Sequence, residues 1–183
     1  MNIRSNYKPA PETFAREALE CLDTLYGFAM VLTKDSSVAA DLVQETYVHA
    51  LQSWEQFTPG TQLKSWLFAI LRNIWINQYR REKQRSKIIS IESDNDDLSY
   101  SRSLSEKDNS PELSLLRALR IEQVCAAVES LPGAYREVVV LRDIEGFSYS
   151  EIASILRCAE GTVMSRLSRA RQKLRGLLAQ VIS

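Results

Sequence analysis

Apolar residues along this chain recur mostly at spacings of three and four, the period of an α-helix. Phe14, Ala18, Leu22, Leu25, Ala29 and Leu32 form one such seam and predict a first helix from about Glu12 to Leu32. Val43, Tyr47, Ala50, Leu51 and Trp54 predict a second, from about Ser36 to Trp54, with Asp35 as candidate N-cap. Thr58-Pro59-Gly60 interrupts the pattern. A third helix follows from about Gln62 to Arg85, with Leu63, Leu67, Ile70 and Ile74 as its inward stripe and Trp66 and Trp75 beside it. The one strong β-branched run, Val138-Val139-Val140, sits inside a helical pattern. The expected fold class is all-α: two small helical domains on a flexible tether.

The tether is a change of character. From Ser86 to Asn109 the chain is rich in Ser, Asp and Asn. Between Glu92 and Glu112, seven acids stand against Arg102 and Lys107, a net of −5. Low hydrophobicity with charge of one sign predicts a flexible acidic linker. Ser110-Pro111-Glu112 then reads as an N-cap, a proline at the first helical position and an acid in the first turn. The expected division is a tail over 1–11, a domain over 12–87, a linker over 88–110 and a second domain over 111–183.

The second domain carries a helix-turn-helix pattern from Ser148 to Arg175. Ser148-Tyr149-Ser150-Glu151 is a capping box, Ile152 and Leu156 face inward, and Arg157-Cys158-Ala159 is a short connection. The following helix sets Val163, Leu167, Ala170 and Leu174 on one face and Arg166, Arg169, Arg171, Lys173 and Arg175 on the other. Residues 157–175 hold six basic side chains and Glu160, a net of +5. A helix of this kind can enter the DNA major groove, its first residues at base edges and its arginines on phosphates. An ordinary amphipathic surface helix is the competing reading, weakened by the capping box and the short turn. Gly161 at the helix start is either a weak helix former or a site of close backbone approach.

The first domain has its own basic element. Gln62 to Lys87 contains Lys64, Arg72, Arg80, Arg81, Lys83, Arg85 and Lys87 against Glu82, a net of +6, interleaved with Trp66, Phe68, Trp75 and Tyr79. Positive charge tracks phosphates and rings stack on unpaired bases, the two requirements of single-stranded DNA binding. Trp66 and Trp75 are more simply core residues, and Phe57, beside the Pro-Gly loop, is the better candidate to meet a base. The second helix differs: from Asp35 to Glu55 it has four acids and no Lys or Arg. Asp41 and Glu45, one turn apart, mark a surface for a protein partner or merely a solvated face.

The overall charge is balanced at 23 basic and 23 acidic residues, so only this local segregation is informative. Three scattered cysteines and one histidine give too few ligands for a zinc site and suit a reducing compartment. No metal or other cofactor is expected. No run approaches the ~18 apolar residues of a membrane span, and the N-terminus lacks the apolar core of a secretory signal. No membrane insertion is expected.

Two sets of motifs carry a family resemblance. LPGAYREVVVLR over 131–142, GFSYSEIA over 146–153 and EGTVMSRLSRAR over 160–171 resemble domain 4 of bacterial RNA polymerase sigma factors. DLVQET over 41–46, Phe57 with LKSWLFAILRN over 63–73, and NQYRR over 77–81 resemble sigma domain 2. The order and small size are those of the extracytoplasmic-function (ECF) group. The resemblance implies a promoter-recognition subunit, not an enzyme, with no catalytic residues. It implies that Asp41, Leu42, Gln44 and Glu45 dock on the β′ clamp helices of core polymerase, which the factor also meets through the β subunit. Phe57 and Asn73, with Lys64, Arg72, Arg80 and Arg81, would bind and melt the −10 element as single strands. Met164, Ser165, Ser168 and Arg169 fall where related factors contact bases of the double-stranded −35 element, with Arg166, Arg171 and Lys173 on phosphates. It further implies a stress or extracytoplasmic signal, a cytoplasmic setting and an anti-sigma partner that could hold the factor near the membrane. Arg157 stands where a glycine is usual in the turn, and Ala159 where a proline often begins the helix. Arg157 either tolerates the turn or adds a phosphate contact.

A conventional helix-turn-helix regulator would explain residues 148–175 but not the basic aromatic helix or the Asp41–Glu45 surface. A recombinase would need clustered acids or an activated serine, and neither pattern is present.

Overall fold

The computed structural model describes residues 10–58, 62–86 and 123–182, and these are helical throughout apart from short turns. The acidic linker, the Ser110-Pro111-Glu112 cap and the Pro59-Gly60 turn lie outside the described residues. Helices are α1 (Glu12–Leu19), α2 (Leu22–Thr33), α3 (Ser36–Gln52), α4 (Leu63–Ser86), α5 (123–129), α6 (Gly133–Val139), α7 (Tyr149–Leu156) and α8 (Glu160–Ile182). By backbone contacts the chain divides into two compact units. The first holds α1, α3, α4 and most of α2; the second holds α5 to α8 with residues 30–35.

In the first unit, α4 packs against α3 and α1. The single helix expected over 12–32 is two. The chain turns tightly at Glu20-Cys21, where the Cys21 amide donates to Ala18 O at 3.1 Å and the next helix restarts with Leu25 N to Cys21 O at 2.9 Å. This turn rotates the seam. Phe14 and Ala18 are buried on α1, and Leu25, Phe28 and Ala29 on α2, but Leu22 faces outward and Leu32 is half-buried. Phe28 takes the place expected of Leu22, stacking on Phe68 of α4 with ring centroids 5.1 Å apart. α2 ends at Lys34, whose φ of 58° and amide bond to Met30 O at 2.9 Å make a left-handed cap. α3 begins at Ser36, directly after Asp35.

The break leaves carbonyls of α1 without an in-helix donor. Ala18 O, which accepts from the Cys21 amide at the turn, also accepts from the Tyr47 hydroxyl of α3 at 2.8 Å. Burial, with smaller contributions from Cys21 and Asp23, pushes the Tyr47 phenol up to about 12. On α4 the buried stripe is Leu67, Phe68, Leu71 and Ile74, while Leu63 and Ile70, expected inside, are half-buried.

In the second unit, α6 and α7 both pack on α8. The valine run lies inside a helix, as its setting predicted. After Val139 the helix widens into one π-turn, Val140–Ile144, closed by Glu145 N to Val140 O at 2.9 Å. Such insertions shift the side chains that follow relative to the helix before them. Arg136 is buried and donates to Glu129 O and to Leu131 O, carbonyls at and just beyond the end of α5.

Replacing Tyr47 with phenylalanine should cost about 1 kcal/mol at neutral pH, the net worth of one hydrogen bond. An unfolded tyrosine ionises near 10. The folded-state shift to about 12 therefore stabilises the protein fully below pH 10, and that stability is lost as pH rises towards 12. The gap between wild type and Tyr47→Phe should narrow over that window in denaturant titrations. A gap that stays constant would show that Tyr47 is not held neutral by the fold.

Candidate nucleic-acid interface

The helix-turn-helix is assembled by its helix ends. Ser148 caps α7: its hydroxyl accepts from Glu151 N at 3.3 Å, and Glu151 Oε2 accepts from Ser148 N at 2.8 Å. This is the capping box read from the sequence. At the other end of α7, Arg157 takes a left-handed conformation, φ 49° and ψ 52°. The Cys158 amide bonds Ala153 O at 3.0 Å and the Arg157 amide bonds Ser154 O at 3.3 Å. That pair of bonds is a Schellman motif, which favours glycine because a Cβ is crowded there. The structure thus gives the physical reason that glycine suits position 157.

The turn before α7 is held by Arg142. It donates from Nη1 to Phe147 O at 2.7 Å and lies 4.9 Å over the Tyr149 ring. Gly146 supplies the φ of +80° that the turn needs. Sequence reading gave Arg142 no role, because its partners become neighbours only once the turn forms.

With both ends of α7 set, α8 presents a divided surface. Val163, Leu167 and Ala170 are buried, as the spacing predicted, and Leu174 is half-buried. Met164, Ser165, Ser168, Arg169, Arg171, Lys173 and Arg175 are exposed, and Arg166 is half-buried. Arg171 is engaged within the unit: its Nε lies 3.3 Å from Asp143 Oδ2 and its Nη2 2.5 Å from Oδ1. This bidentate bond raises the guanidinium pKa above its ordinary value and aims the side chain at the π-turn. A Cβ added at Gly161 would meet nothing within 4 Å, so no close helix approach requires glycine there.

In the first unit, Phe57 is half-buried in an aromatic triad. Its centroid is 5.9 Å from that of Phe14 and 5.6 Å from that of Trp66, and Phe14 and Trp66 are 6.1 Å apart. Two ring neighbours already hold the residue expected to be most available to a base. On α4, Tyr79 is an exposed aromatic, 47% exposed, and pairs with Trp75 at 5.9 Å. Lys64 and Arg72 are half-buried, with Lys64 Nζ 5.8 Å from the Phe68 centroid; Arg80 and Arg81 are exposed.

Asn73 is half-buried in a groove of about 310 Å³ between α3 and α4, lined also by Glu45, His49, Asn77 and Arg81. Glu45 spans this groove, accepting from Gln78 Nε2 at 2.7 Å, with His49 Nε2 3.8 Å away. The residue expected on polymerase and the residue expected on DNA therefore share one groove. Gln78 was missed because 33 residues separate it from its carboxylate partner; His49 stands one turn from Glu45, a spacing that the sequence did offer. Asp41 and Gln44 are exposed on α3. Leu42 is not: at 1% exposure it belongs to the core and supports the helix from beneath.

Among the described residues no cluster of His, Cys, Asp or Glu could hold a metal ion, and no helix is long and apolar enough to cross a membrane.

Comparison with known proteins matches each unit separately. Residues 19–85 match the Sigma-70 region 2 family and residues 121–174 the Sigma-70, region 4 family. The chain is 36% identical over 170 residues to the ECF RNA polymerase sigma factor EcfG of Rhodopseudomonas palustris, covering 93% of this chain and 87% of that one. It is 35% identical over 138 residues to the ECF RNA polymerase sigma-E factor of Escherichia coli K12, covering 73% and 70%. Among solved structures it is similar to the sigma factor RpoE in complex with the anti-sigma factor NepR from Bartonella quintana. The TM-score is 0.68 at 35% identity, covering 92% of this chain and 98% of that one. It is also similar to CnrH in complex with the cytosolic domain of CnrY, with a TM-score of 0.60 at 25% identity, covering 91% and 88%.

The left-handed turn makes one direct prediction. Arg157→Gly should stabilise the protein by about 1 kcal/mol, because a non-glycine residue in this region is strained by roughly that amount. Thermal unfolding of the full chain measures it, and an unchanged or lowered midpoint would mean that the turn tolerates arginine without strain.

Proposed function

The chain belongs to the ECF sigma factors of the sigma-70 family, and from that membership we infer how its two units share promoter recognition. It is a transcription initiation factor that works with core RNA polymerase on promoter DNA, and it is not an enzyme. The observation that carries the finer reading is α8: a helix that follows the Schellman turn closing the capped α7, with most of its basic side chains exposed.

The second unit, over 111–183, binds the −35 element. Met164, Ser165, Ser168 and Arg169 face the bases. Arg166 and Lys173 hold phosphates, and Arg171 joins them once it leaves Asp143. The first unit, over 12–87, binds core polymerase and the melted −10 element, and residues 88–110 link the two. Asp41, Gln44 and Glu45 present α3 to the β′ clamp helices. Asn73 receives an unpaired base, Arg72, Arg80 and Arg81 follow the strand, and Lys64 adds charge at the start of α4. Phe57 contributes by turning from its aromatic triad or by offering the ring face its neighbours leave open. The protein acts in the cytoplasm, where its polymerase is. The similar RpoE of Bartonella quintana is seen in complex with the anti-sigma factor NepR, and an anti-sigma protein likewise restrains this factor until a stress signal arrives.

Mutants of the two units should fail at different steps. Stacking on an aromatic and a bidentate base contact are each worth roughly 1–3 kcal/mol, so the step affected, not the size of the loss, separates the roles. Phe57→Ala and Asn73→Ala holoenzymes should bind duplex promoter, open it poorly and recover on a pre-melted template. Arg169→Ala should weaken the closed complex and gain little from pre-melting. Permanganate reactivity of unpaired thymines reports both. Rescue of Arg169→Ala alone would reverse the assignment.

The docking surface has a separate test. Asp41→Lys with Glu45→Lys should abolish co-purification with core polymerase while leaving helicity unchanged. Because Glu45 also holds Gln78, Asp41→Lys alone is the cleaner variant and should weaken core binding measurably. Wild-type co-purification of the double variant would remove α3 from the interface.

A further inference from the structure

We propose that Met164 selects a thymine in the upstream promoter element by packing against its C5-methyl group. The inference rests on α8 being the major-groove helix, and it supplies a base preference at one position of that helix.

Met164 is the fifth residue of α8 and is 48% exposed. Its neighbours on the outward face are Ser165, Ser168 and Arg169, all exposed, while Val163 and Leu167 on the opposite face are buried. Folding of the helix therefore uses the buried face and gives no reason for a large apolar side chain at 164. Other large apolar residues exposed in this unit, such as Val124 and Ile144, lie off α8.

The chemistry of the side chain narrows that partner. A phosphate needs a donor or a positive charge, and methionine has neither. In the major groove, guanine offers two acceptors, cytosine a donor, and adenine an acceptor and a donor; only thymine adds an apolar group. Packing methionine over the polar edges desolvates them without returning a hydrogen bond. Against a methyl group the same contact is favourable, and the unbranched thioether can adapt to it. Ser165 cannot take this part: its hydroxyl donates to Thr162 O at 3.0 Å, leaving only a polar acceptor outward. Arg169, a turn further on, is suited to guanine. The helix start thus combines an apolar reader with a cationic one.

The test removes the methyl and nothing else. Upstream elements would first be selected from a randomised duplex by holoenzyme made from core polymerase and the full chain. Each thymine of the selected element, on either strand, would then be replaced in turn by deoxyuridine, and binding measured at one fixed salt concentration. One thymine should respond, with a loss of about fourfold for wild type, the worth of one buried methyl. The same replacement should leave Met164→Ala unaffected, and Met164→Leu should keep most of the response. Arg169→Ala should bind more weakly overall yet retain the uridine response. The proposal is overturned if no thymine responds in wild type, if the selected element has no A·T pair, or if Met164→Ala loses as much on uridine as wild type does. If Arg169→Ala and Lys173→Ala also bind every duplex as wild type does, then α8 is not the groove helix, and that outcome is distinct from the loss of the methyl contact alone.

Discussion

The ends of helices govern this structure. Each helix leaves amides at one end and carbonyls at the other without partners inside the helix. Where such ends lie near the core, as in the short helices α1, α5 and α7, specific neighbours satisfy them. Tyr47 satisfies the end of α1, Arg136 the end of α5, Ser148 with Glu151 the start of α7, and the left-handed Arg157 its close. The left-handed Arg157 turn lies directly ahead of α8, the helix proposed to read the −35 element.

Charge then does what packing permits. Most basic residues of α8, and Arg80 and Arg81 of α4, are exposed. They occupy the faces that remain once Leu67, Leu71, Val163 and Leu167 have been buried. Arg171 also pairs with Asp143 of the π-turn, which lies within bonding distance. An exposed pair of this kind is worth little, about 0–1 kcal/mol, so exchanging the carboxylate for a phosphate is a small step. The pairing also keeps the side chain extended near the surface where a phosphate would arrive.

The first unit brings two proposed functions close together. Polymerase docking and base capture are proposed on different helices, α3 and α4. Yet Glu45 and Asn73 line one groove, and the Glu45–Gln78 bond links the helices there. The aromatic triad of Phe14, Phe57 and Trp66 plays a similar part, tying the loop ahead of α4 to α1 and α4.

Much of this protein was readable in its residue order. Helical period, the capping box at Ser148, the inward face of α8 and the segregation of charge are all local. They depend on residues within a turn or two of each other, so no tertiary knowledge is needed. The family motifs are local in the same sense, and they carried the identification. Much of what the sequence did not disclose involves partners far apart in the chain. The split at Glu20-Cys21 has no Gly or Pro to announce it, and it exchanged Leu22 for Phe28 in the core. Leu42 sits within an exposed motif but is turned inward by packing. Phe57 sits in a loop yet finds two rings, and Glu45 finds Gln78. Periodicity states which residues share a face; only the packed structure decides which neighbour covers that face, because burial is a property of surfaces that meet and not of the order in which they are joined.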